Sequence, residues 1–147
     1  MTTFQAGRIM LERIHYLANK RVNFSFETTL ASKTFAPWIA ELRKTGYVFH
    51  LVFLWLPSEE FAINRVADRV RMGGHNVPED TIRRRYHAGL RNFFNLYRPL
   101  ADSWVFYDNS VAKPTLIAYS NQEHRLIVTD SIIWYNIVQE YGSKRET

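Results

Sequence analysis

Nine consecutive residues, Val48 to Leu56, carry a single polar side chain, His50, and are bounded by Gly46-Tyr47 before and Pro57 after. A run this short and this rich in valine and aromatics predicts a strand buried on both faces, as in the parallel sheet of an α/β domain. Ser58 then has the side chain of an N-cap, and Glu59 and Glu60 follow in what would be the first helical turn, so the unit reads strand, tight turn, helix. Ligands of open α/β sheets lie beyond the carboxyl ends of the strands. The arginines that follow, up to Arg98, are therefore predicted to flank a site.

Charge supports that placement. The formal net charge is +5, and the segment from Arg65 to Arg98 holds eight arginines, no lysine and three acids, an excess of five. Elsewhere basic and acidic residues balance at eleven each. A local, all-arginine patch suits multidentate recognition of phosphates better than a diffuse lysine coat would. The alternative reading of these arginines is a solvated helix face. Nucleic-acid binding is the lesser reading, and it predicts an affinity that falls steeply with salt.

The 147 residues are expected to form one domain with a real core, since hydrophobic residues make up 46% of the chain and aromatics 15%. Cysteine is absent, which removes thiol chemistry and disulfides and fits a reducing cytoplasm. No secretory leader and no apolar run long enough to cross a bilayer is apparent, so a cytoplasmic protein without a membrane partner is expected.

Along the chain, residues 3–20 have the apolar spacing of an amphipathic helix, and Val22 to Thr29 alternates like a strand ending in Glu27-Thr28-Thr29. Lys33 to Lys44 reads as a second helix that stops at Gly46. A helix from Ser58 to about Met72 is expected to turn Ala62, Ile63, Val66 and Val70 inward. Gly73-Gly74 then reads as a mobile hinge, and Pro78 as the first position of a helix running to about Tyr97. Its stripe of Ile82, Tyr86, Gly89, Leu90, Phe93 and Tyr97 should face the core, with Arg84, Arg91 and Arg98 solvated opposite and Arg83 and Arg85 flanking the stripe. A short strand at Trp104 to Tyr107, a hairpin from Thr115 to Val128 about Asn121-Gln122, and a helix capped by Asp130 complete an α/β pattern with an antiparallel addition.

Glu27, Thr28 and Thr29 place a carboxylate and two hydroxyls at a strand end, a set suited to bidentate hydrogen bonds with sugar hydroxyls; otherwise they are ordinary strand and surface residues. Two arginine-bearing helices joined by glycines resemble a lid that would close on phosphates. Arg65 and Arg69 lie four apart and could act together, or pair with Asp68 on the helix surface. His75 could meet a phosphate or be a solvated loop residue. The five histidines, at positions 15, 50, 75, 87 and 124, show no ligand spacing, so no metal site built from side chains alone is predicted.

Six stretches taken together, Phe26-Glu-Thr-Thr-Leu30, Leu54-Trp-Leu-Pro57, Arg65-Val-Ala-Asp-Arg-Val-Arg71, Gly73-Gly-His-Asn-Val-Pro78, Ile82-Arg-Arg-Arg-Tyr86 and Tyr107-Asp-Asn-Ser110, resemble the zeta-toxin-like P-loop kinases. The resemblance runs from about Gly7 to about Val128. It implies an incomplete P-loop kinase-like three-layer fold with a mostly parallel sheet and a C-terminal antiparallel hairpin, a lid over about 65–98, and phosphoryl transfer from ATP with Mg2+ to a UDP-sugar or similar hydroxyl acceptor. By the same resemblance Glu27 and Thr29 would bind the sugar nucleotide. Arg69 would contact ATP phosphates, joined in the lid by Arg65, His75, Arg83 and Arg85. Asn109 and Ser110 would lie near the adenine. The arginine that the toxins carry two positions after the threonine is Ala31 here.

The chain departs from the family at its front. None of Gly7, Gly46, Gly73, Gly74, Gly89 and Gly142 begins a Gly-x-x-x-x-Gly-Lys-Ser/Thr motif. Without that cradle, phosphoryl transfer loses most of its positioning and charge stabilisation. The expectation is thus the carboxyl portion of such a kinase, inactive alone: a shortened gene product, a fragment needing a partner such as an upstream segment, or a repacked domain. The competing expectation is a non-catalytic module that pairs, with itself or another chain, through an open sheet.

Overall fold

The computed structural model describes residues 2–121, 123 and 125–142. Helix α1 (Thr3–Asn19) opens with a capping box in which Thr2 Oγ1 accepts from Gln5 N at 3.1 Å and Gln5 Oε1 accepts from Thr2 N at 2.9 Å. Helix α2 (Phe35–Lys44) follows, then strand β1 (His50–Trp55) and helices α3 (Glu59–Arg71) and α4 (Glu79–Asn92). One π-turn (Phe93–Tyr97) and one 3-10 turn (Arg98–Leu100) lead into β2 (Ser103–Asp108); β3 (Thr115–Ser120), β4 (Leu126–Val128) and α5 (Ser131–Tyr141) close the described chain. Gln122 of the expected hairpin turn and His124 lie outside the described residues.

The class is α/β. The four strands lie in the order β1-β2-β3-β4, with β1 and β2 parallel and the remaining pairs antiparallel, so the C-terminal hairpin is present and the parallel part is one pair in register from His50↔Ser103 to Trp55↔Asp108. One sheet face carries the aromatic core. Phe53 and Phe106 stack at 4.9 Å, Trp104 and Trp134 stack at 5.4 Å, and Phe93 meets Phe53, Trp104 and Phe106 at 5.0–5.6 Å. The predicted stripe of α4 is the one that faces this core, with Leu90, Phe93 and Tyr97 fully buried.

Several expectations are corrected. Strand β1 is not buried on both faces: Leu51 and Trp55 point into the core, whereas Val52 and Leu54 are 58% and 52% exposed. The reason is that the helices cover only one face of the sheet, so the outer face, which Val52 shares with Val105 and Tyr119, stays open. Residues 22–29 are extended but join no ladder. They are pinned at both ends, where Tyr47 Oη donates to Val22 O at 2.9 Å and Gly89 closes on the Thr29 carbonyl. No backbone hydrogen bond joins this segment to β1. Its apolar alternation is used instead on α2, with Phe26 against Phe35 at 5.1 Å and Phe24 against Trp38 at 6.1 Å.

Helix α3 buries no residue fully, and Val70 is exposed. Pro78 precedes α4 as its N-cap instead of occupying its first turn. Arg98 is not solvated, since its guanidinium lies 4.9 Å from the Phe94 ring and 5.8 Å from that of Trp104, and burial lowers its pKa. Between α2 and the sheet, Arg43 Nη2 donates to Asp102 Oδ1 at 2.8 Å while Asp102 Oδ2 accepts from Phe49 N at 2.7 Å.

Candidate functional site at the carboxyl end of β1

Strand β1 ends at Trp55, and three separate chain segments are bonded to that end. Asn109 N donates to Trp55 O at 2.8 Å, bringing the loop after β2 alongside. Tyr86 Oη donates to Leu56 O at 2.7 Å, bringing in α4. Ser58 Oγ caps α3 by accepting from Phe61 N at 3.4 Å, so α3 starts here. The carboxyl end of β1 is thus where the loop after β2, Tyr86 of α4 and the start of α3 meet.

Glu27, Thr28 and Thr29 sit on this junction through α4. Gly89 lies so close to the Thr29 carbonyl that a β-carbon there would collide with it. Buried Asn92 donates from Nδ2 to Leu30 O at 2.7 Å and to Ala31 O at 3.2 Å, and Tyr97 Oη donates to Ser32 O at 2.5 Å. Thr28 Oγ1 accepts from Leu30 N at 3.2 Å, holding Leu30 at φ 60, a left-handed value that leucine seldom adopts. The three residues of the loop remain exposed, and among the described residues the Glu27 carboxylate has no hydrogen-bond or ion-pair partner.

The arginines divide into three groups. Arg85, half-buried, lies four residues before Gly89, so the two are helix neighbours about 5–6 Å apart and Arg85 stands one turn from Thr29. Arg65 donates from Nη2 to Asn109 O, which ties α3 to the Asn109-Ser110 loop; there Ser110 N donates to Asp108 Oδ1 at 2.9 Å. Arg69 is exposed in the last turn of α3, His75 is exposed in the connection to α4, and neither side chain has a partner among the described residues. Arg83 stands apart: its Nη1 donates to Glu59 Oε2 at 2.5 Å and to Glu60 Oε1 at 3.2 Å, and its Nη2 lies 3.8 Å from Glu79 Oε2. No hydrogen bond or ion pair joins Glu27 to any of these arginines.

The network around Arg83 was not legible as such in the sequence. Glu59 also accepts from His87 Nε2, and His87 Nδ1 is 2.5 Å from Tyr141 Oη. A proton on His87 Nε2 donates to the Glu59 carboxylate, and Nδ1 shares the second hydrogen bond with the Tyr141 hydroxyl. Hydrogen bonds from Arg83 and then from His87 hold the Glu59 carboxyl below the usual carboxylate range, and Glu59 and Glu60 raise the Arg83 pKa in turn. The usable signal was the four-residue spacing of Arg83 and His87, which puts both on one face of α4 toward the first turn of α3. Among the described residues no group of three or more His, Asp or Glu side chains is placed to hold a metal ion.

The profile of the zeta toxins matches residues 1–112, which covers α1 to β2 and the whole junction just described. The chain belongs to the zeta toxin family. Strands β3 and β4 and helix α5 lie beyond the zeta toxin match. A protein of Haemophilus influenzae described only as uncharacterized is 26% identical over 86 residues, 58% of this chain and 61% of that protein. The chain thus spans less than two thirds of the length of this curated relative. No solved structure matches. Among the described residues, no helix is long and apolar enough to cross a membrane.

Proposed function

We propose that the chain is the acceptor-and-lid portion of a zeta-toxin-like kinase, which transfers a phosphoryl group from ATP to a UDP-sugar or similar hydroxyl acceptor. The observation that carries the reading is the seating of the Glu27-Thr28-Thr29 loop on α4, one turn from Arg85. In this reading Glu27 and Thr29 hold acceptor hydroxyls, with Thr28 shaping the loop beside them. Arg69 and Arg85 neutralise phosphate oxygens as the lid of about 65–98 closes. Arg83 is a phosphate ligand only if it exchanges its carboxylates for the nucleotide, and His75 approaches from the connection between the lid helices. Arg65 positions Asn109 and Ser110 for the base. ATP and Mg2+ are implied by the family alone, and the residues described here contribute arginines, not metal ligands.

The test is an NMR titration of the 147-residue chain with UDP-N-acetylglucosamine and, separately, with ATP. The sugar nucleotide is expected to shift the amides of Glu27 to Leu30, and ATP those around Arg69 and Arg85. Unmoved amides in both titrations would overturn the reading. Because the chain has no Gly-x-x-x-x-Gly-Lys-Ser/Thr segment, magnesium-dependent ATP turnover by this polypeptide is expected to be absent, and robust turnover would refute that expectation.

A second reading, a module that pairs through its open sheet, is favoured by one observation. Strand β1 has a ladder partner on one side only, and the extended residues 22–29 pair with no strand. Unpaired strand edges recruit further strands. Light scattering across a concentration series distinguishes self-pairing, with a rising mass, from a monomer that awaits a separate strand.

A further inference from the structure

Between the end of β1, α4 and α5 lies a concavity of about 240 Å³, lined by Trp55 and Tyr86 on one side and by Ile133, Ile137, Glu140 and Tyr141 of α5 on the other. Five of its eight lining residues come from α5, beyond the 1–112 matched by the family profile. The cavity is therefore walled on one side by residues of the matched span and on the other by α5, beyond it.

Its chemistry is specific. Three lining residues are aromatic with π-systems, one is a carboxylate, and no lining residue is basic. The two phenol hydroxyls are already engaged, Tyr86 with Leu56 O at 2.7 Å and Tyr141 with His87 Nδ1 at 2.5 Å, so their rings are what an occupant would meet. Glu140 is in no ion pair among the described residues. Its negative field is felt at both phenols: burial and then Glu140 push Tyr86 up to about 12 and raise Tyr141, and Arg91 opposes this more weakly at Tyr141. Aromatic rings beside a carboxylate that is in no ion pair, although it is hydrogen-bonded to the Tyr141 phenol, favour a cation whose charge is spread over alkyl groups, because such an ion loses little hydration and gains ring quadrupoles. The volume lies below the roughly 300–1,000 Å³ typical of sites for drug-sized ligands, which restricts the occupant to a headgroup.

We infer that the cavity formed by Trp55, Tyr86, Tyr141 and Glu140 is a binding site for a small organic ammonium ion of choline size. This goes beyond phosphoryl transfer and does not depend on it, since neither nucleotide nor acceptor is involved.

The experiment titrates the 147-residue chain with choline chloride, with its uncharged carbon isostere 3,3-dimethylbutan-1-ol, and with sodium chloride, following indole fluorescence and NMR shifts of Trp55. Choline is expected to bind at least about tenfold more tightly than the isostere, the factor that 1.4 kcal/mol represents. Glu140→Gln, at an exposed position and with circular dichroism reporting its fold, is expected to weaken choline several-fold and leave the isostere unchanged. Trp55→Leu should abolish binding, with circular dichroism reporting whether that variant folds. Equal affinity for choline and its isostere, no saturable response to choline beyond that of sodium chloride, or an unchanged choline affinity in Glu140→Gln would each overturn the proposal.

Discussion

At the scale of single residues, Glu59 binds three helices to one another: it caps the charge of Arg83 on α4, and through His87 it reaches Tyr141 on α5. Its carboxyl titrates below the usual range because both partners favour the ionised form. A group whose folded pKa lies below its unfolded value, roughly 4.3 for glutamate, stabilises the fold above the unfolded value. That stabilisation disappears as pH falls through the lower folded value. Glu59→Gln should therefore lower the melting temperature at pH 7, and the difference from the parent chain should vanish in acid; thermal melts from pH 3 to 7 would check it. Asn92 is a buried polar side chain, and its amide satisfies two carbonyls of the loop that follows Thr29. Asn92→Ala leaves a buried carbonyl without a donor and should cost about 1–3 kcal/mol in denaturant titrations, with the largest amide shifts at Glu27 to Ala31.

At the scale of elements, the Gly73-Gly74 pair does a different job from the one its sequence suggests. Gly73 has φ +93, and Gly74 N donates back to Arg69 O at 2.7 Å while Gly73 N donates to Val70 O at 3.1 Å. This is the closed C-terminal cap of α3, in which a left-handed residue satisfies the last carbonyls. Gly73→Ala forces a side chain into the left-handed region and should destabilise α3 by about 1 kcal/mol, read as faster amide exchange at Arg69 to Met72. Gly89 is an element-scale contact of another kind, the point where α4 presses on the 22–29 segment. Alanine would gain about 1 kcal/mol of intrinsic helix propensity, yet its methyl group meets the Thr29 carbonyl. Gly89→Ala is expected to be destabilising overall by roughly 1–3 kcal/mol, the usual range for overpacking, and to weaken any acceptor bound at Glu27 and Thr29. A gain in stability would show that the segment yields.

At the scale of the whole molecule, the aromatic cluster around Phe93 joins both parallel strands to the π-turn that follows α4 and, through Phe106 and Trp104, to α5. Phe93→Ala should remove about 3–5 kcal/mol, a large share of the stability of a chain this size. The open edge of β1 belongs to the same scale. Val52→Lys, with its charge on an already exposed position, is expected to suppress any concentration-dependent mass increase without lowering the melting temperature. The sequence by itself determined what local patterns encode. Helix spacing, caps such as Ser58 and Asp130, the buried stripe of α4 and the arginine-rich span were legible because each depends on residues within a few positions of one another. Ladder partners and charge partners were settled only by packing. Residues 22–29 have the alternation of a strand but no ladder partner, Val52 and Leu54 have the side chains of a core but lie on the uncovered face of the sheet, and Arg83 differs from Arg85 in meeting the acids of α3. Alternation and charge state what a segment can bury or bind, whereas hydrogen-bond ladders and ion pairs require a second segment that local sequence does not name.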